Sequence, residues 1–358
     1  MIKYTQLHNT NRKNLIEVLP LQKPFTVLIE PSSLCNFRCV QCFQSLKEKS
    51  YFSETKANMP IGRFQLVLDQ LAAWPGPKIK VLKLTIYGEP LMNPDFPKMV
   101  QLAVASGVAE RVEMTTNASL LKPAIAEQLV DSRIDYIRVS IYGTNQEKHE
   151  AVTGTKTHLE SIHDNLAALQ DIKQKRGADR PFVTCKSLDS FCEEDNACFL
   201  SLFQPVADEV YLDKPHGWIQ VKEKDFIEGY YGESSSLAKE DLLASTLQRT
   251  ACPMPFTTMA VRANGDVSPC CVDFIGGTNL GNIERKSLKD LWHSEEWFLF
   301  QKMHLENRMR ENPSCARCEI YRSTHYTKDT VDGFPVDRLL RMRSGNAPAS
   351  AEGDAHAK

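Results

Sequence analysis

The sequence predicts an α/β protein whose main part is a partial (β/α)6 barrel, followed by a small C-terminal α+β domain. Apolar stretches of strand length alternate with helical stretches of ten to eighteen residues up to residue 216, which indicates repeated βαβ units and a parallel sheet. Polar or unusual residues recur directly after the strands, where parallel sheets and barrels place their chemistry. Six such units predict a barrel that is open on one side.

The elements of the barrel follow from the period of the apolar residues. The predicted strands cover residues 25–29, 79–86, 111–114, 134–141, 181–186 and 209–212. The predicted helices cover residues 60–74, 97–105, 120–130, 158–175 and 197–203, and Pro123 is tolerable because it falls in the first turn of its helix. We expect residues 1–20 to be an irregular lead-in and residues 21–216 to form the barrel.

The pattern weakens after the barrel. Gly229, Gly232 and the serine run 234–236 predict a linker or lid over residues 217–250. Residues 251–325 form a second cysteine-bearing domain, with a hairpin at Asn264-Gly265 and a helix over residues 287–303 that begins at the cap Ser287. Residues 326–358 are a C-terminal segment, and its last fifteen residues are small and polar, which predicts disorder.

Composition excludes several function classes. The chain has 358 residues, of which 42% are hydrophobic and 25% charged, as in soluble globular proteins. A net charge of −2 gives no field that attracts nucleic acid, and no run of eighteen apolar residues could span a membrane. We therefore expect a cytoplasmic protein without nucleic-acid or membrane partners. In that compartment eleven cysteines indicate metal binding rather than disulfides.

Three cysteines lie close together after the first strand, with the spacing C-x3-C-x2-C: Cys35, Cys39 and Cys42. Such a set can hold three irons of a 4Fe–4S cube and leaves the fourth iron open as a reaction site. A zinc site or a buried thiol cluster is the alternative, although a structural zinc site needs four closed ligands.

The three cysteines, together with Tyr87-Gly88-Glu89-Pro90 after the second strand, resemble the radical S-adenosylmethionine (radical SAM) superfamily. The resemblance implies that the cysteines hold the cluster and that the GGEP-like stretch, Tyr87, Gly88, Glu89 and Pro90, holds the methionine amino group of the cofactor. It also implies reductive cleavage of S-adenosylmethionine to a 5′-deoxyadenosyl radical, which abstracts a hydrogen atom from the substrate.

The chain departs from the family pattern at two positions. Tyr87 replaces the first glycine of the GGEP-like stretch, and Gln41 replaces the aromatic residue that often precedes the third cysteine. Stacking on adenine is therefore expected of Phe43 or another residue. Asn117 and Ser140 stand where the family places polar contacts to the cofactor, and each is equally well explained as a strand-end cap.

A second set of four cysteines lies in the C-terminal region: Cys252, Cys270, Cys315 and Cys318. Their spacing alone suits either zinc or a 4Fe–4S cluster. The set resembles the twitch form of the SPASM domain, and its spacing is similar to that of 2-deoxy-scyllo-inosamine dehydrogenase. Residues 281–283 and 287–292 also match the SPASM pattern. The resemblance implies one auxiliary cluster here, and hence two 4Fe–4S clusters in the protein.

Four cysteines remain. Cys271 follows a ligand directly and is not expected to be one itself, because neighbours on a strand point to opposite faces. Cys185, on the fifth strand, is a candidate hydrogen donor if it faces the barrel interior, although a small buried hydrophobe is the favoured interpretation. Cys192 and Cys198 are expected to pack in a helix.

Five residues after the barrel strands are candidates for contact with substrate: Tyr142, Lys186, Asp213, His216 and Trp218. Among them, His216 is a candidate base for a hydroxyl proton. The alternative for each is an ordinary solvated or hydrogen-bonded side chain.

The resemblance implies an oxidoreductase that acts on a small molecule. A hydroxyl-bearing carbon of a sugar or aminocyclitol is the preferred target, with the auxiliary cluster as electron acceptor and a flavodoxin- or ferredoxin-type protein as electron donor. Two alternatives lie within the family: an epimerase that uses Cys185 or Cys271, and an enzyme that modifies a ribosomal peptide, which the lack of a leader-binding domain before the barrel disfavours. A non-catalytic metal-binding interaction protein is the alternative from another class.

Overall fold

Six parallel strands form the main sheet of the protein. The computed structural model describes residues 13–46, 56–215, 221, 224–322 and 327–343. The strands are β1 Thr26–Ile29, β2 Ile79–Leu84, β3 Ala109–Thr116, β4 Tyr136–Ser140, β5 Phe182–Leu188 and β6 Glu209–Asp213. They pair in chain order, and β6 lies at one edge of the sheet without pairing to β1. The predicted fold class, an α/β partial barrel, is confirmed.

Helices connect the barrel strands. Their bounds are α1 Leu15–Val18, α2 Ile61–Ala73, α3 Phe96–Ser106, α4 Pro123–Asp131, α5 Gln146–Thr153, α6 Leu159–Arg176 and α7 Glu193–Phe203. The prediction that residues 1–20 are irregular is wrong for Leu15–Val18, which form α1. Helix α5 was also not predicted, because its sequence QEKHEAVT carries too few apolar residues to show a helical period. Its ends are nevertheless well marked, since Asn145 caps the first turn and Gly154 follows with φ +61°.

Alternate residues of the strands face two different layers, as the period of two requires. Ile29, Met114 and Ile137 point toward the helices and are fully buried in the main hydrophobic core. The alternate residues of the barrel strands face the barrel interior, and several of these are charged: Lys83, Glu113, Arg138 and Lys186. The interior is therefore a polar space enclosed by an apolar shell.

The described residues of the region predicted as a linker or lid are largely helical, and its role as a linker or lid stays a prediction. It contains α8 Phe226–Tyr231 and α9 Ser235–Ser245. The run of serines that suggested a loop lies instead at the beginning of α9, where a short polar side chain is tolerated in a helix. Beyond it follow α10 Met254–Thr257, α11 Leu288–Trp292, α12 Glu295–Leu305 and α13 Val336–Arg343.

The C-terminal hairpin extends the main sheet. Its strands are β7 Thr258–Val261, β8 Asp266–Ser268 and β9 Gly281–Asn282. The predicted turn is confirmed, because β7 and β8 are antiparallel and Gly265 has φ +91°. Strand β7 also pairs in parallel with β1, with Thr258 opposite Thr26, so the sheet has nine strands in the described part of the chain. The sequence did not predict this pairing.

The helix predicted over residues 287–303 is interrupted. The predicted cap is confirmed, since Ser287 Oγ accepts a hydrogen bond from the Asp290 N–H at 3.1 Å. Helix α11 ends after Trp292, however, and Ser294 caps α12 by accepting from the Trp297 N–H at 3.2 Å. The prediction of one continuous helix is therefore wrong, because serine favours a cap over a helix interior.

The two ends of the described chain meet in a second apolar cluster. Leu15 and Leu19 pack there with Phe256, Phe334 and Leu339. The tail predicted to be disordered lies outside the described residues. In the part of the chain that the structure describes, no helix has the length and apolar character needed to cross a membrane.

Candidate functional site

The first cysteine set lies on the loop after β1. Cys35, Cys39 and Cys42 are half-buried, and all eleven cysteines of the chain are free thiols. The loop turns through a hydrogen bond from the Cys42 N–H to Cys39 O at 2.9 Å. The end of α5 supports it, because the N–H groups of Arg38 and Val40 each donate at 2.8 Å to a carbonyl at the end of that helix.

Gly88 brings the stretch after β2 against this loop. A Cβ atom at Gly88 would lie 2.2 Å from Ser32 O and 2.3 Å from Leu34 O, so only glycine allows this contact. The next residue, Glu89, donates its N–H to Leu34 O at 2.8 Å. The structure therefore brings together the two motifs that carry the family resemblance.

Glu89 is buried at the carboxyl ends of β2 and β3. Its carboxylate accepts hydrogen bonds from Thr116 Oγ1 at 2.6 Å, from the Asn117 N–H at 2.7 Å and from the Leu91 N–H at 3.2 Å. Burial raises the pKa of Glu89 to about 7, and the three hydrogen bonds oppose that shift. A carboxylate has about four acceptor sites, so one further donor can still bind it.

Asn117 belongs to a network of polar side chains at the end of β3. Its Nδ2 donates to Asn36 Oδ1 at 2.9 Å, and its Oδ1 accepts from Ser119 Oγ at 2.7 Å. Asn36 also donates to Ser119 Oγ at 2.8 Å. Both ends of the Asn117 amide therefore have protein partners, which agrees with the capping interpretation. Ser140 is the last residue of β4, two residues before Tyr142, whose pKa burial raises to about 12.

The Phe43 ring contacts two other aromatic rings, and stacking of Phe43 on adenine stays a prediction. Its ring stacks on Phe274 at 4.8 Å between centroids and 6° between planes, and it meets the Tyr87 ring edge-on at 4.9 Å. The guanidinium of Arg262 lies over the Tyr87 ring at 4.2 Å. Phe43 and Tyr87 thus join the cysteine loop to the C-terminal region.

The residues at this site fit an iron–sulfur cluster with a bound cofactor. Thiols are the soft ligands that such clusters take, and burial raises the pKa of Cys35 to about 12, so binding of a metal must release protons. Gln41 Oε1, in the loop between Cys39 and Cys42, is buried without a hydrogen-bond partner, which leaves an acceptor for an amino group of a ligand.

The second cysteine set surrounds one pocket. All four predicted ligands line it: Cys252, Cys270, Cys315 and Cys318. Cys271 is not among the lining residues. The argument that strand neighbours point to opposite faces does not apply to this pair, because both Cys270 and Cys271 follow β8 and do not lie in it. Burial raises the pKa of Cys271, and the charges of Lys83, Arg262 and Arg138 oppose that shift, so this thiol lies among the charges of the barrel.

Two polar side chains that the sequence did not indicate also line this pocket. Asp273 is fully buried and accepts hydrogen bonds from Thr278 Oγ1 and Ser314 Oγ, each at 2.6 Å. His304 Nδ1 accepts from the Cys252 N–H at 3.4 Å, which leaves the proton of the neutral ring on Nε2. No sequence signal marked either residue, since neither belongs to a ligand motif.

The barrel interior contains the other candidates. Lys186 Nζ lies 2.8 Å from Asp213 Oδ2 and Lys83 Nζ lies 3.2 Å from Glu113 Oε1, so two ion pairs join neighbouring strands in the interior. Burial lowers the pKa of Lys186, and Asp213 opposes that shift. His216 and Trp218 lie outside the described residues. The sequence did not single out Lys83 or Glu113.

Three further cysteines lie outside both predicted ligand sets: Cys185, Cys192 and Cys198. Cys185 is fully buried in the apolar layer between sheet and helices, on the face of β5 opposite Lys186. This contradicts an interior position for Cys185 and agrees with the favoured interpretation of a small buried hydrophobe. Cys192 and Cys198 are exposed, so the expectation that they pack in a helix is wrong.

Two family models match the chain. The model of the radical SAM superfamily matches residues 29–185, and the SPASM model, an iron–sulfur cluster-binding domain, matches residues 252–319. The two ranges contain all seven cysteines that the sequence predicts as cluster ligands. S-adenosylmethionine and iron–sulfur clusters are therefore the cofactors that both domains imply.

Two curated relatives match over most of their length. The tungsten-containing aldehyde ferredoxin oxidoreductase cofactor-modifying protein of Pyrococcus furiosus is 22% identical over 84% of this chain and 89% of its own. The S-adenosyl-L-methionine-dependent 2-deoxy-scyllo-inosamine dehydrogenase of Niallia circulans is 21% identical over 83% of this chain and 94% of its own. Several further relatives match over less than half of their own length.

Solved structures share the fold. BtrN in complex with AdoMet and 2-DOIA superposes with a TM-score of 0.54 at 18% identity, covering 86% of this chain and 98% of that one. Native anSMEcpe with bound AdoMet and Cp18Cys peptide superposes with a TM-score of 0.55 at 17% identity, covering 90% of this chain and 100% of that one.

Proposed function

The chain belongs to the radical SAM superfamily and carries a SPASM domain, and from this premise we propose that it oxidises a hydroxyl-bearing carbon of a small molecule. The cofactors of this reaction would be S-adenosylmethionine and two 4Fe–4S clusters. The first cluster would lie on the loop after β1 and the second in the C-terminal pocket. When bound, the first cluster and S-adenosylmethionine would supply the radical chemistry that removes a hydrogen atom from the substrate carbon, and the second cluster would accept an electron.

The pocket lined by four cysteines is the observation that carries the proposal. A cluster that is held by four thiolates has no open iron at which a substrate could bind, so its role is electron transfer. An enzyme that must dispose of an electron during turnover is one that oxidises its substrate.

The relative named as a 2-deoxy-scyllo-inosamine dehydrogenase supports this reaction type, because the match covers 83% of this chain and 94% of the relative. A sugar or aminocyclitol is therefore the substrate class that we prefer. A flavodoxin- or ferredoxin-type protein would supply the electron for the first cluster.

The side chains of this protein would bind and orient the reactants. Glu89 would accept a hydrogen bond from the methionine amino group, since its carboxylate has an acceptor site left. Lys186 would donate a hydrogen bond to a substrate oxygen, because the carboxylate of Asp213, 2.8 Å from its Nζ, favours the protonated amine. His216, outside the described residues, stays the base that the sequence predicts.

Redox-neutral epimerisation is the second candidate function. The position of Cys271 favours it, because that thiol is not among those that line the cluster pocket and the charges of Lys83 and Arg138 act on it. A thiol beside the substrate can return a hydrogen atom to a carbon radical. In that case the Cys271→Ser variant would lose inversion while it still cleaves S-adenosylmethionine.

Deuterium transfer tests the proposed function. The reconstituted protein would be incubated anaerobically with reductant, S-adenosylmethionine and sugars or aminocyclitols deuterated at single carbinol positions. Oxidation predicts deuterium in 5′-deoxyadenosine and an equal amount of carbonyl product. Deuterium transfer with a product at the unchanged oxidation level would favour the epimerase instead.

A further inference from the structure

Arg138 is a partly buried cation that faces the barrel interior from the middle of β4. Its Nε is buried and has no hydrogen-bond partner. The guanidinium donates a hydrogen bond to the hydroxyl of Tyr211, which is a neutral group. Among the described residues no carboxylate forms an ion pair with Arg138. The charge therefore lies in the interior without a carboxylate in direct contact with it.

The two nearest carboxylates already have cations of their own. Glu113 contacts Lys83 at 3.2 Å and Arg111 at 2.9 Å, and Asp213 contacts Lys186 at 2.8 Å. Both carboxylates act on Arg138 only over a longer distance. A buried charge is costly unless it is paired, so the interior favours an additional anion.

Thr115 supplies a second unpaired group next to Arg138. The two residues are register partners on the neighbouring strands β3 and β4, so their side chains share the interior face. Thr115 Oγ1 is also buried without a hydrogen-bond partner. The following residue, Thr116, donates to Glu89. The two unpaired groups therefore lie directly below the strand ends where the cofactor is expected.

We propose that Arg138 and Thr115 bind an anionic group of the substrate, either a carboxylate or a phosphate. A guanidinium and a hydroxyl are donors that match such an oxygen-rich group. This inference rests on the proposed function, which makes the barrel interior the substrate site. It narrows the substrate class to an acidic or phosphorylated sugar, because Arg138, Lys83 and Lys186 would repel the ammonium group of an aminocyclitol.

Binding of simple anions to the reconstituted, S-adenosylmethionine-loaded protein tests this inference. Inorganic phosphate and formate are titrated separately at constant ionic strength, and the melting temperature is followed. We expect at least one anion to raise the melting temperature in a saturable way. The anion that does so shows whether the site binds a phosphate or a carboxylate. In the Arg138→Gln variant the dissociation constant should rise about tenfold or more, because a charge-assisted hydrogen bond is lost.

Three further variants make the test specific. Arg138→Lys keeps the charge and should bind more tightly than Arg138→Gln, and Thr115→Val should weaken binding even if Arg138→Gln does not fold. Arg176→Gln removes an exposed arginine on α6 and should bind as the wild type does. Absence of saturable binding of both anions, or equal binding by wild type and Thr115→Val, would overturn the inference.

The same preparations separate this inference from the proposed function. Formation of 5′-deoxyadenosine by the wild-type protein is measured with dithionite, without any substrate. A protein that cleaves S-adenosylmethionine but binds neither anion refutes the inference and leaves the proposed function standing. A protein that binds an anion through Arg138 but forms no 5′-deoxyadenosine refutes the proposed function instead.

Discussion

The hydroxyl of Thr116 donates a hydrogen bond of 2.6 Å to the carboxylate of Glu89, which ties the end of β3 to the stretch after β2. Burial of this carboxylate raises its pKa to about 7. The group proposed to hold the cofactor amino group therefore changes its charge near neutral pH, and cofactor binding becomes sensitive to pH.

We expect the affinity for S-adenosylmethionine to increase with pH through the pKa of Glu89. The raised pKa means that the neutral acid predominates below about pH 7 and the carboxylate above it, and only the carboxylate accepts hydrogen bonds freely. The ionised fraction rises from about a tenth at about pH 6 to about a half at about pH 7, so binding should tighten about fivefold. Equilibrium binding to the reconstituted protein measures this.

The Glu89→Gln variant is the control, because it keeps the shape of the side chain and does not titrate. Its affinity should be lower than that of the wild type at about pH 7 and should lack the contribution of Glu89 to the pH dependence. Identical pH profiles for the two proteins would remove Glu89 from cofactor binding.

Replacement of Gly88 by alanine should break the contact between the cysteine loop and the stretch after β2. The added Cβ would lie 2.2 Å from Ser32 O, and neither backbone can move without disturbing the loop. We expect a loss of about 3 kcal/mol or more in the free energy of unfolding, measured by denaturant titration of the metal-free protein.

Gly62→Ala is the matched control for that substitution. Gly62 lies in α2, and a Cβ there would meet nothing within 4 Å. This variant should be more stable than the wild type by up to about 1 kcal/mol. Equal effects of the two substitutions would show that the contact at Gly88 does not constrain the loop.

The adjacent thiols Cys270 and Cys271 should differ in their effect on iron content. Cys270 lines the pocket with the other predicted ligands and Cys271 does not. After reconstitution, the wild type and Cys271→Ala should contain about eight iron atoms per chain, and Cys270→Ala about four. Iron and sulfide analysis measures this, and the reverse order of the two variants would reassign the ligand.

His304 should raise the reduction potential of the second cluster. Its Nε2 lies 3.8 Å from Cys315 Sγ, and its neutral ring carries the proton on that nitrogen, because burial lowers the pKa of His304 to about 4 and Nδ1 accepts from the backbone. An N–H···S hydrogen bond stabilises the more negative, reduced cluster.

The potential of His304→Leu should therefore fall by roughly 40 mV, which corresponds to about 1 kcal/mol for a one-electron couple. A redox titration followed by electron paramagnetic resonance measures it. The first cluster is the internal reference, and His293→Leu, a histidine next to α11, is the control that should leave both potentials unchanged. A fall in both potentials would indicate a general loss of structure.

The fold was predictable because its signals are local. Each barrel strand is a short apolar run, each helix shows its period, and the residues that follow the strands carry the chemistry. Helix α5 was not predicted because it is polar, yet its last turn accepts hydrogen bonds from Arg38 and Val40 in the cysteine loop. The pairing of β7 with β1 could not be predicted, since it joins strands more than two hundred residues apart.

The cysteine sets were predictable from their spacing, but the partners of single side chains were not. The sequence does not show that Phe43 stacks on Phe274, because that contact depends on how the C-terminal region meets the barrel. The alternation of side chains along β4 could have predicted that Arg138 faces the barrel interior. Only the structure identifies the carboxylates near it and shows that each is paired with another cation.

The most direct test of this account is the formation of 5′-deoxyadenosine by the anaerobically reconstituted, dithionite-reduced protein. The account predicts that the wild type cleaves S-adenosylmethionine and that Cys39→Ala, which lacks one ligand of the first cluster, does not. No 5′-deoxyadenosine from the wild type, or equal amounts from both proteins, would contradict it.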